Sequence, residues 1–522
     1  MNEMFLTQGL RRAAQINRNG VATIDGDRRH TWAEFERRVA KLAGALLSLG
    51  LKTNQRVAIL SFNSDRYLEY FFAVPWAGGV IVPLNVRLAL SELIYLIDDS
   101  GSQILVVDDA HIAMLPHLIA NTASIQQVIY AGNGEPPRDL LDHEAILEAA
   151  EPAPDAGRGG ADIAGIFYTG GTTGLAKGVM LTHTNLVSNA LVALLNIYEG
   201  EAWTYLHSAP MFHIADCQWC VGVTLHAGTH VFMPKFVPED MLRMIEAYRI
   251  THCALVPTML NMLCNVEGRE KYDVMSLRGM NYGGSPMAPA LIAKARQAFP
   301  KCRFFQGYGQ TETAPNVSML TDKYHDPSGP YADKISSAGQ PVFTVEVKIV
   351  DVWDNPVACG TIGEIAVRGP NIMAGYWNKP EATELALRNG WMHTGDLGYM
   401  DEDGFLYIVD RAKDMIISGG ENIYSVEVEK VIYQHPAVAM CAVIAIPDDK
   451  WGEAVHAIVV PKVGHALSEE MVIAYCRQYI AGYKCPRSVD IRHEPLPMSG
   501  AGKILKRELR APFWEGKSRA VN

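Results

Sequence analysis

Between about Ala161 and Glu312, short apolar runs alternate with segments of helical period, and this alternation most restricts what the chain can fold into. "IAGIFYT", "THVFMP", "HCALVP" and "CRFFQGYG" read as strands. "NLVSNALVALLN" with Thr184 as its N-cap, "PEDMLRMIEAY" with acids in its first turn, and "APALIAKARQAF" read as helices. "RVAILSFNS" and "QILVVDD" repeat the habit earlier in the chain. Such alternation builds parallel sheets with functional loops at the strand ends. After about Ser336 the period changes to two, in "FTVEVKIVD", "GEIAVRG" and the hairpin "GYMDEDGFLYIVD". A length of 522 residues exceeds one compact core. The expected class is α/β: a large N-terminal domain of parallel α/β sheets over 1–411, including a β subdomain at about 336–411, then a small α+β C-terminal domain over 412–522.

Composition narrows the function. A net charge of -11 argues against a nucleic-acid partner, which would normally meet a basic face. The nine scattered cysteines read as reduced thiols rather than a disulfide framework. The first residues lack the apolar core of a secretory signal. The most apolar stretch, Tyr70–Leu84, is too short to span a bilayer and holds two prolines, so no transmembrane segment is expected. The expectation is a cytoplasmic protein, with peripheral membrane contact left open through an apolar substrate.

Five short segments carry chemistry. In "YTGGTTGLAKGV", Thr169, Gly170, Gly171, Thr172, Thr173 and Gly174 can aim backbone N–H groups and hydroxyls at phosphate oxygens, and Lys177 adds a point charge. The Gly-Lys-Ser/Thr of a Walker A loop is missing. In "GYGQTE", Tyr308 between Gly307 and Gly309 offers a flat face for a purine, Thr311 a hydroxyl and Glu312 a hard oxygen suited to Mg²⁺. In "HTGD", Asp396 can hold a ribose diol or merely stabilise a turn. "DRAKDMIISGGENIY" sets charged residues before an apolar strand and a double glycine. "PMSGAGKILKREL" carries Lys503 on a loop, where a lone lysine is ordinarily solvated surface.

In this order, from about Thr31 to Leu509, the five segments resemble the adenylate-forming superfamily of acyl-CoA synthetases, firefly luciferase and peptide-synthetase adenylation domains. The resemblance implies that Thr169–Lys177 holds the phosphates of ATP and that Tyr308 packs on adenine, with Gly283 and Gly284 lining the slot. It also implies that Thr311 bonds the α-phosphate, Glu312 holds Mg²⁺, and Asp396 and Arg411 hold the ribose. Lys413 then sits at the hinge of a mobile C-terminal lid, and Lys503 bridges carboxylate and α-phosphate. Ala176 departs from the pattern, standing where the family usually has proline, without loss of a donor. Gly419 and Gly420 resemble glycines lining a pantetheine tunnel, Trp451 offers a face to the CoA adenine, and Lys484 and Arg487 can meet its phosphates. For the acyl pocket, "APMFHIADCQWC" resembles the segment that gates it, with His213 as gate. Asn281, Gly283 and Gly309 border that pocket, and Ala215 and Trp219 belong to it. The spacing of His213, Cys217 and Cys220 could suggest zinc, but two further ligands are not evident. The implied enzyme is an ATP-dependent acyl-CoA ligase that joins a small carboxylic acid to CoA through an acyl-adenylate, with Mg²⁺ as cofactor and ATP and CoA as co-substrates. An acid with an apolar tail is expected: medium- or long-chain fatty acids first, aryl or phenylpropenoate acids as the alternative. A non-CoA acceptor is the rival within enzymes, a non-catalytic nucleotide sensor the rival outside them, and a homodimer is left open.

Overall fold

The computed structural model describes residues 3–169, 175–197, 200–285, 287–498 and 504–515. Compactness divides the chain into two units, 1–347 with 367–392, and 348–366 with 393–522. This division falls at different residues from the sequence division at 411/412.

Among the described residues, the first unit is built on a nine-stranded and an eight-stranded sheet. The strands that carry the candidate site are, in chain order, β1 (Ile163–Thr169), β2 (Lys177–Thr182), β3 (Thr204–His207), β4 (Thr229–Phe232), β5 (His252–Leu255), β6 (Gly279–Gly283), β7 (Arg303–Gly309), β8 (Asn316–Leu320) and β9 (Gly375–Tyr376). Strands β7, β6, β5, β3 and β4 lie side by side and parallel, as βα alternation requires, and β8 closes back on β7 antiparallel. Strands β9, β2 and β1 run antiparallel at the edge of the other sheet. The glycine- and threonine-rich loop follows the strand "IAGIFYT", as expected, and returns into a second, antiparallel strand.

Helix α1 (His183–Ile197) follows β2 directly. It starts before Thr184: Asn185 N–H donates to the Thr182 hydroxyl at 3.1 Å, and Thr182 N–H donates to Asn185 Oδ1 at 2.8 Å. That reciprocal cap moves the N-terminus from Thr184 to Thr182. Helix α2 (Ile214–Leu225) follows β3, with His213 at its N-cap. The apolar Tyr70–Leu84 stretch is core: every residue of the Asp65–Trp76 helix is buried, and so is the strand Val80–Pro83. No helix of the described residues is long and apolar enough to cross a membrane. All nine cysteines are free thiols, eight of them buried.

The second unit holds most of a four-stranded sheet, Glu346–Val350, Gly363–Arg368, Met392–Met400 and Leu406–Arg411, whose last two strands pair antiparallel. It also holds a five-stranded sheet around the long strands Val438–Asp448 and Gly452–Pro461. The helices Ser425–Tyr433 and Glu469–Tyr479 present Val428, Ile432, Val472 and Cys476 to the core of that sheet.

Candidate active site

Strand β7 ends in Gly307–Gly309, and the chain then turns through Thr311–Thr313 into β8. A Cβ at Gly309 would run into the Pro315 carbonyl oxygen, so the tight return excludes any side chain there. Side-chain amides pin the turn. Asn189 of α1 and Asn371 both donate to the carbonyls of Thr313 and Asn316, Asn371 at 2.8 and 2.9 Å. Asn316 donates in turn to Asn189 Oδ1 at 2.9 Å and to Gln218 Oε1 of α2 at 2.6 Å. Asn189, Asn316 and Gln218 form a buried amide network that specifies the backbone here, while Asn371 Oδ1 has no partner.

The pinned turn presents Thr311 and Glu312, both buried. The Glu312 carbonyl accepts from Met373 N–H at 2.9 Å, and its carboxylate accepts from the Tyr376 hydroxyl at 2.8 Å. Burial and the adjacent carboxylate push the Tyr376 hydroxyl well above its ordinary value, so it stays a donor. The ammonium of Lys177 lies 4.8 Å over the centre of the Tyr376 ring. Lys177, Tyr376 and Glu312 thus form one chain of contacts joining the edge of one sheet to the end of β7 in the other. Glu312 fits the Mg²⁺ assignment in kind: a carboxylate on a rigid turn, oriented by a hydroxyl donor, is the hard oxygen ligand this ion prefers. Thr169 sits opposite Lys177 at the base of the β1–β2 hairpin. Gly170, Gly171, Thr172, Thr173 and Gly174 lie outside the described residues. Tyr308 is half-buried, and Gly283 of β6 is in register with Gly307, with Gly284 exposed just beyond it.

The residues expected at the acyl pocket lie along β6, at the end of β7, and along α2 and its N-cap. His213 is half-buried, Ala215 is exposed, and Trp219, one helical turn further on, is fully buried. Trp219 stacks on Tyr205 of β3 with ring centres 5.5 Å apart. Trp219 and Asn281 line one small cavity. Cys217 and Cys220 are neutral thiols, pushed far up by burial, and among the described residues no metal-suited cluster includes them or His213.

In the second unit, Asp396 and Arg411 face each other across paired strands, with Arg411 Nε 3.0 Å from Asp396 Oδ1. Lys413 follows, half-buried, its ammonium pushed down by burial and then by Arg411; its carbonyl accepts from Arg510 at 3.3 Å. Gly419 and Gly420 form the two-residue turn between Ile416–Ser418 and Glu421–Ile423, with φ of +63° and +85°. Tight hairpin turns of this kind favour glycine, so the pair has a backbone reason besides any ligand. Gly419 N–H donates to the Trp451 carbonyl at 2.8 Å, and the Arg487 guanidinium lies 4.8 Å over the Trp451 ring. Three of the five residues expected at CoA therefore meet: Gly419, Trp451 and Arg487. Lys484 is instead engaged by Glu427 at 2.7 Å. Lys503 lies outside the described residues.

A lysine, a buried carboxylate and glycine-bare strand ends at the carboxyl edge of a parallel sheet are the parts of a nucleotide-using enzyme. The chain belongs to the AMP-binding enzyme family, whose model matches residues 10–377, with the C-terminal domain of the same enzymes matching 427–503. It is 40% identical to a feruloyl-CoA synthase of Amycolatopsis over 96% of this chain and 98% of that one. It is 35% identical to a medium/long-chain-fatty-acid–CoA ligase of Mycobacterium tuberculosis, over 98% and 90%. Among solved structures it resembles the o-succinylbenzoate CoA synthetase of Bacillus subtilis bound to its acyl-adenylate, with a TM-score of 0.85, 31% identity and 98% of each chain covered. These relationships place it in the acyl-CoA synthetase branch of the adenylate-forming enzymes.

Tyr376, Asn371 and Asn189 were not singled out by sequence reasoning. The signal was slight, a Gly-Tyr-Trp following "NIMA", and its meaning depends on β9 pairing with β2 from far along the chain.

Proposed function

We propose that this chain is an ATP-dependent acyl-CoA ligase. A carboxylate oxygen of the acid attacks the α-phosphorus of ATP and pyrophosphate leaves. The thiol of CoA then attacks the acyl carbon of the mixed anhydride, and AMP leaves. The observation that carries this reading is the Lys177–Tyr376–Glu312 chain beside the pinned end of β7. Lys177 and the hairpin loop hold phosphates, Tyr308 packs on adenine, Thr311 donates to the α-phosphate, and Asp396 and Arg411 hold the ribose. Mg²⁺, held through Glu312, supplies charge neutralisation at the phosphates. Lys413 serves as the hinge of a lid from 412 onward, and Lys503 draws carboxylate and α-phosphate together. The grouping of Gly419, Trp451 and Arg487 supports CoA as acceptor over a non-CoA acceptor. A cytoplasmic setting fits these co-substrates.

The acid has an apolar tail, since the named pocket residues carry no fixed charge, His213 being the one that can gain it. Sequence texture puts a medium- or long-chain fatty acid first, and one similar protein carries such a name. The other class is an aryl or phenylpropenoate acid, and another similar protein is named a feruloyl-CoA synthase. The test is a panel of carboxylic acids scored for acid-dependent exchange of pyrophosphate into ATP, then for thioester on adding CoA. Exchange that needs an acid and thioester that needs CoA support the reading. ATP turnover indifferent to every acid contradicts it.

A further inference from the structure

Helix α2 is tied to the sheet beneath it by a chain of buried polar groups that the reaction proposed above does not use. In its first turn, the Asp216 carboxylate accepts from the Tyr205 hydroxyl at 3.1 Å and lies 2.6 Å from Nδ1 of His207, both on β3. Nε2 of His207 lies 2.9 Å from Nδ1 of His230 on β4. Nε2 of His230 lies 3.1 Å from the Thr224 hydroxyl, which is back on α2 near its end. Tyr205 pairs in register with His230, and His207 is two residues on from Tyr205, so the three share one face of the sheet. All five residues are buried, and both nitrogens of both rings are engaged. A buried carboxylate that loses its donors is costly, so α2 cannot slide or turn on the sheet without that cost.

The segment that enters α2 is fixed as well. The Asn63 amide donates to the His207 and Ala209 carbonyls at 3.0 and 2.8 Å, and its oxygen accepts from Met211 N–H at 2.8 Å.

A second side of α2 meets the turn that presents Thr311 and Glu312. Gln218 is two residues beyond Asp216, and residues two apart do not share a helix face. Its side-chain oxygen accepts from Asn316 at 2.6 Å, and its amide donates to the Ala215 carbonyl at 3.1 Å. Asn316 is the first residue of β8, where that turn ends. The register of α2 against β3 and β4 is therefore passed to the turn through Gln218.

We propose that Asp216 and His207 are positioning residues for adenylate formation, holding α2 in the register from which Gln218 sets the turn of Thr311 and Glu312. This rests on the ligase reading above, in which that turn meets the α-phosphate and Mg²⁺. Hydrogen bonding, not charge, does the positioning. The amide of Asp216→Asn can accept from Tyr205 and donate to His207 Nδ1, with the ring protons reversed so that His207 donates to His230 and His230 to Thr224.

The test measures two half-reactions in each variant: acid-dependent exchange of pyrophosphate into ATP, and thioester formation from supplied acyl-adenylate and CoA. Asp216→Ala should lower exchange by at least about tenfold and leave the thioester step within about twofold, because small misplacements are costly only in the step whose groups they misalign. Gln218→Leu cuts the same path on its other side and should give the same split. The double variant should lose no more than the worse single one, as expected of residues acting through one path. Asp216→Asn should keep exchange within about threefold of wild type. Melting curves establish that the variants fold; should Asp216→Ala not fold, His207→Phe, which keeps the ring stack on His230 and Phe232, replaces it with the same expected split. Equal losses in both half-reactions, exchange that no variant lowers, losses that add in the double variant, or Asp216→Asn as weak as Asp216→Ala would overturn the proposal and leave the ligase reading intact. Absence of acid-dependent exchange in the wild type overturns both.

Discussion

Glu312 is where most of the proposed chemistry converges, and its side chain is held by a single described partner, the Tyr376 hydroxyl at 2.8 Å. Removing the carboxylate removes the proposed metal ligand. Glu312→Ala is expected to lower acid-dependent pyrophosphate exchange by roughly 100-fold or more, the scale of losing one electrostatic stabiliser. Tyr376→Phe keeps the ring over which Lys177 lies and loses only the donor that orients Glu312. It should cost roughly 10-fold, as loss of a supporting hydrogen bond to a metal ligand does. Wild-type exchange rates in both variants, at saturating ATP and Mg²⁺, would remove Glu312 from the site. The two residues differ in how far the sequence disclosed them. Glu312 stands inside "GYGQTE", where a local pattern carries its meaning. Tyr376 acquires its role only because Tyr376 pairs with Val179, one strand residue beyond Gly178, and no local window contains both.

At the scale of elements, the proposed function gives the tight hairpin at Gly419–Gly420 and the segment with Lys503 opposite half-reactions. Both turn residues have positive φ, so Gly419→Leu forces an L side chain into a left-handed backbone at about 1–2 kcal/mol and drives it against Trp451. It should slow thioester formation from supplied acyl-adenylate and CoA while sparing pyrophosphate exchange. Lys503→Ala should do the reverse, lowering acid-dependent AMP formation by roughly 100-fold. Equal losses in both half-reactions for both variants would contradict the division of labour. Element types were largely legible, because "IAGIFYT", "HCALVP" and "CRFFQGYG" carry the apolar runs of buried strands and form them. The hairpin partner "KGVMLT" was not: it is short, has no turn residue at its end, and passes straight into α1. For the same reason the helix start was placed at Thr184, since the reciprocal Thr182–Asn185 cap is visible only once the strand before it is known.

Across the whole molecule, buried histidines set a pH limit that composition conceals. His183, His252 and His325 are held down to about 4, 3 and 4 from an ordinary 6.5, chiefly by burial. The unfolded chain binds these protons first, so the stability they confer is whole above pH 6.5 and is lost as pH falls from there toward 4. Each is worth on the order of 3 kcal/mol over that window. Asp25, raised to about 6 by burial and by Asp65, runs the opposite way, as do the raised Glu36, Asp410 and Glu429, while His226, His230 and His456, also pushed down by burial, add to the histidine side. The melting temperature should therefore drop steadily between pH 7 and pH 5, and a flat profile would contradict the neutral-histidine account. The α/β class and the order of the five motifs were legible over nearly the full length. The acid's identity was not, because the residues expected at its pocket, among them His213, Trp219, Asn281 and Gly309, are drawn from α2, its N-cap, β6 and β7, which no single motif contains. The central claim is that the acid passes through a mixed anhydride with AMP, and the oxygen atoms record it. With both carboxylate oxygens of the acid labelled with ¹⁸O, attack on the α-phosphorus and later displacement by the thiol must leave one label in AMP and one in the thioester carbonyl. Mass spectrometry of the products should find singly labelled AMP and unlabelled pyrophosphate. Unlabelled AMP, or label in pyrophosphate or inorganic phosphate, would contradict the account.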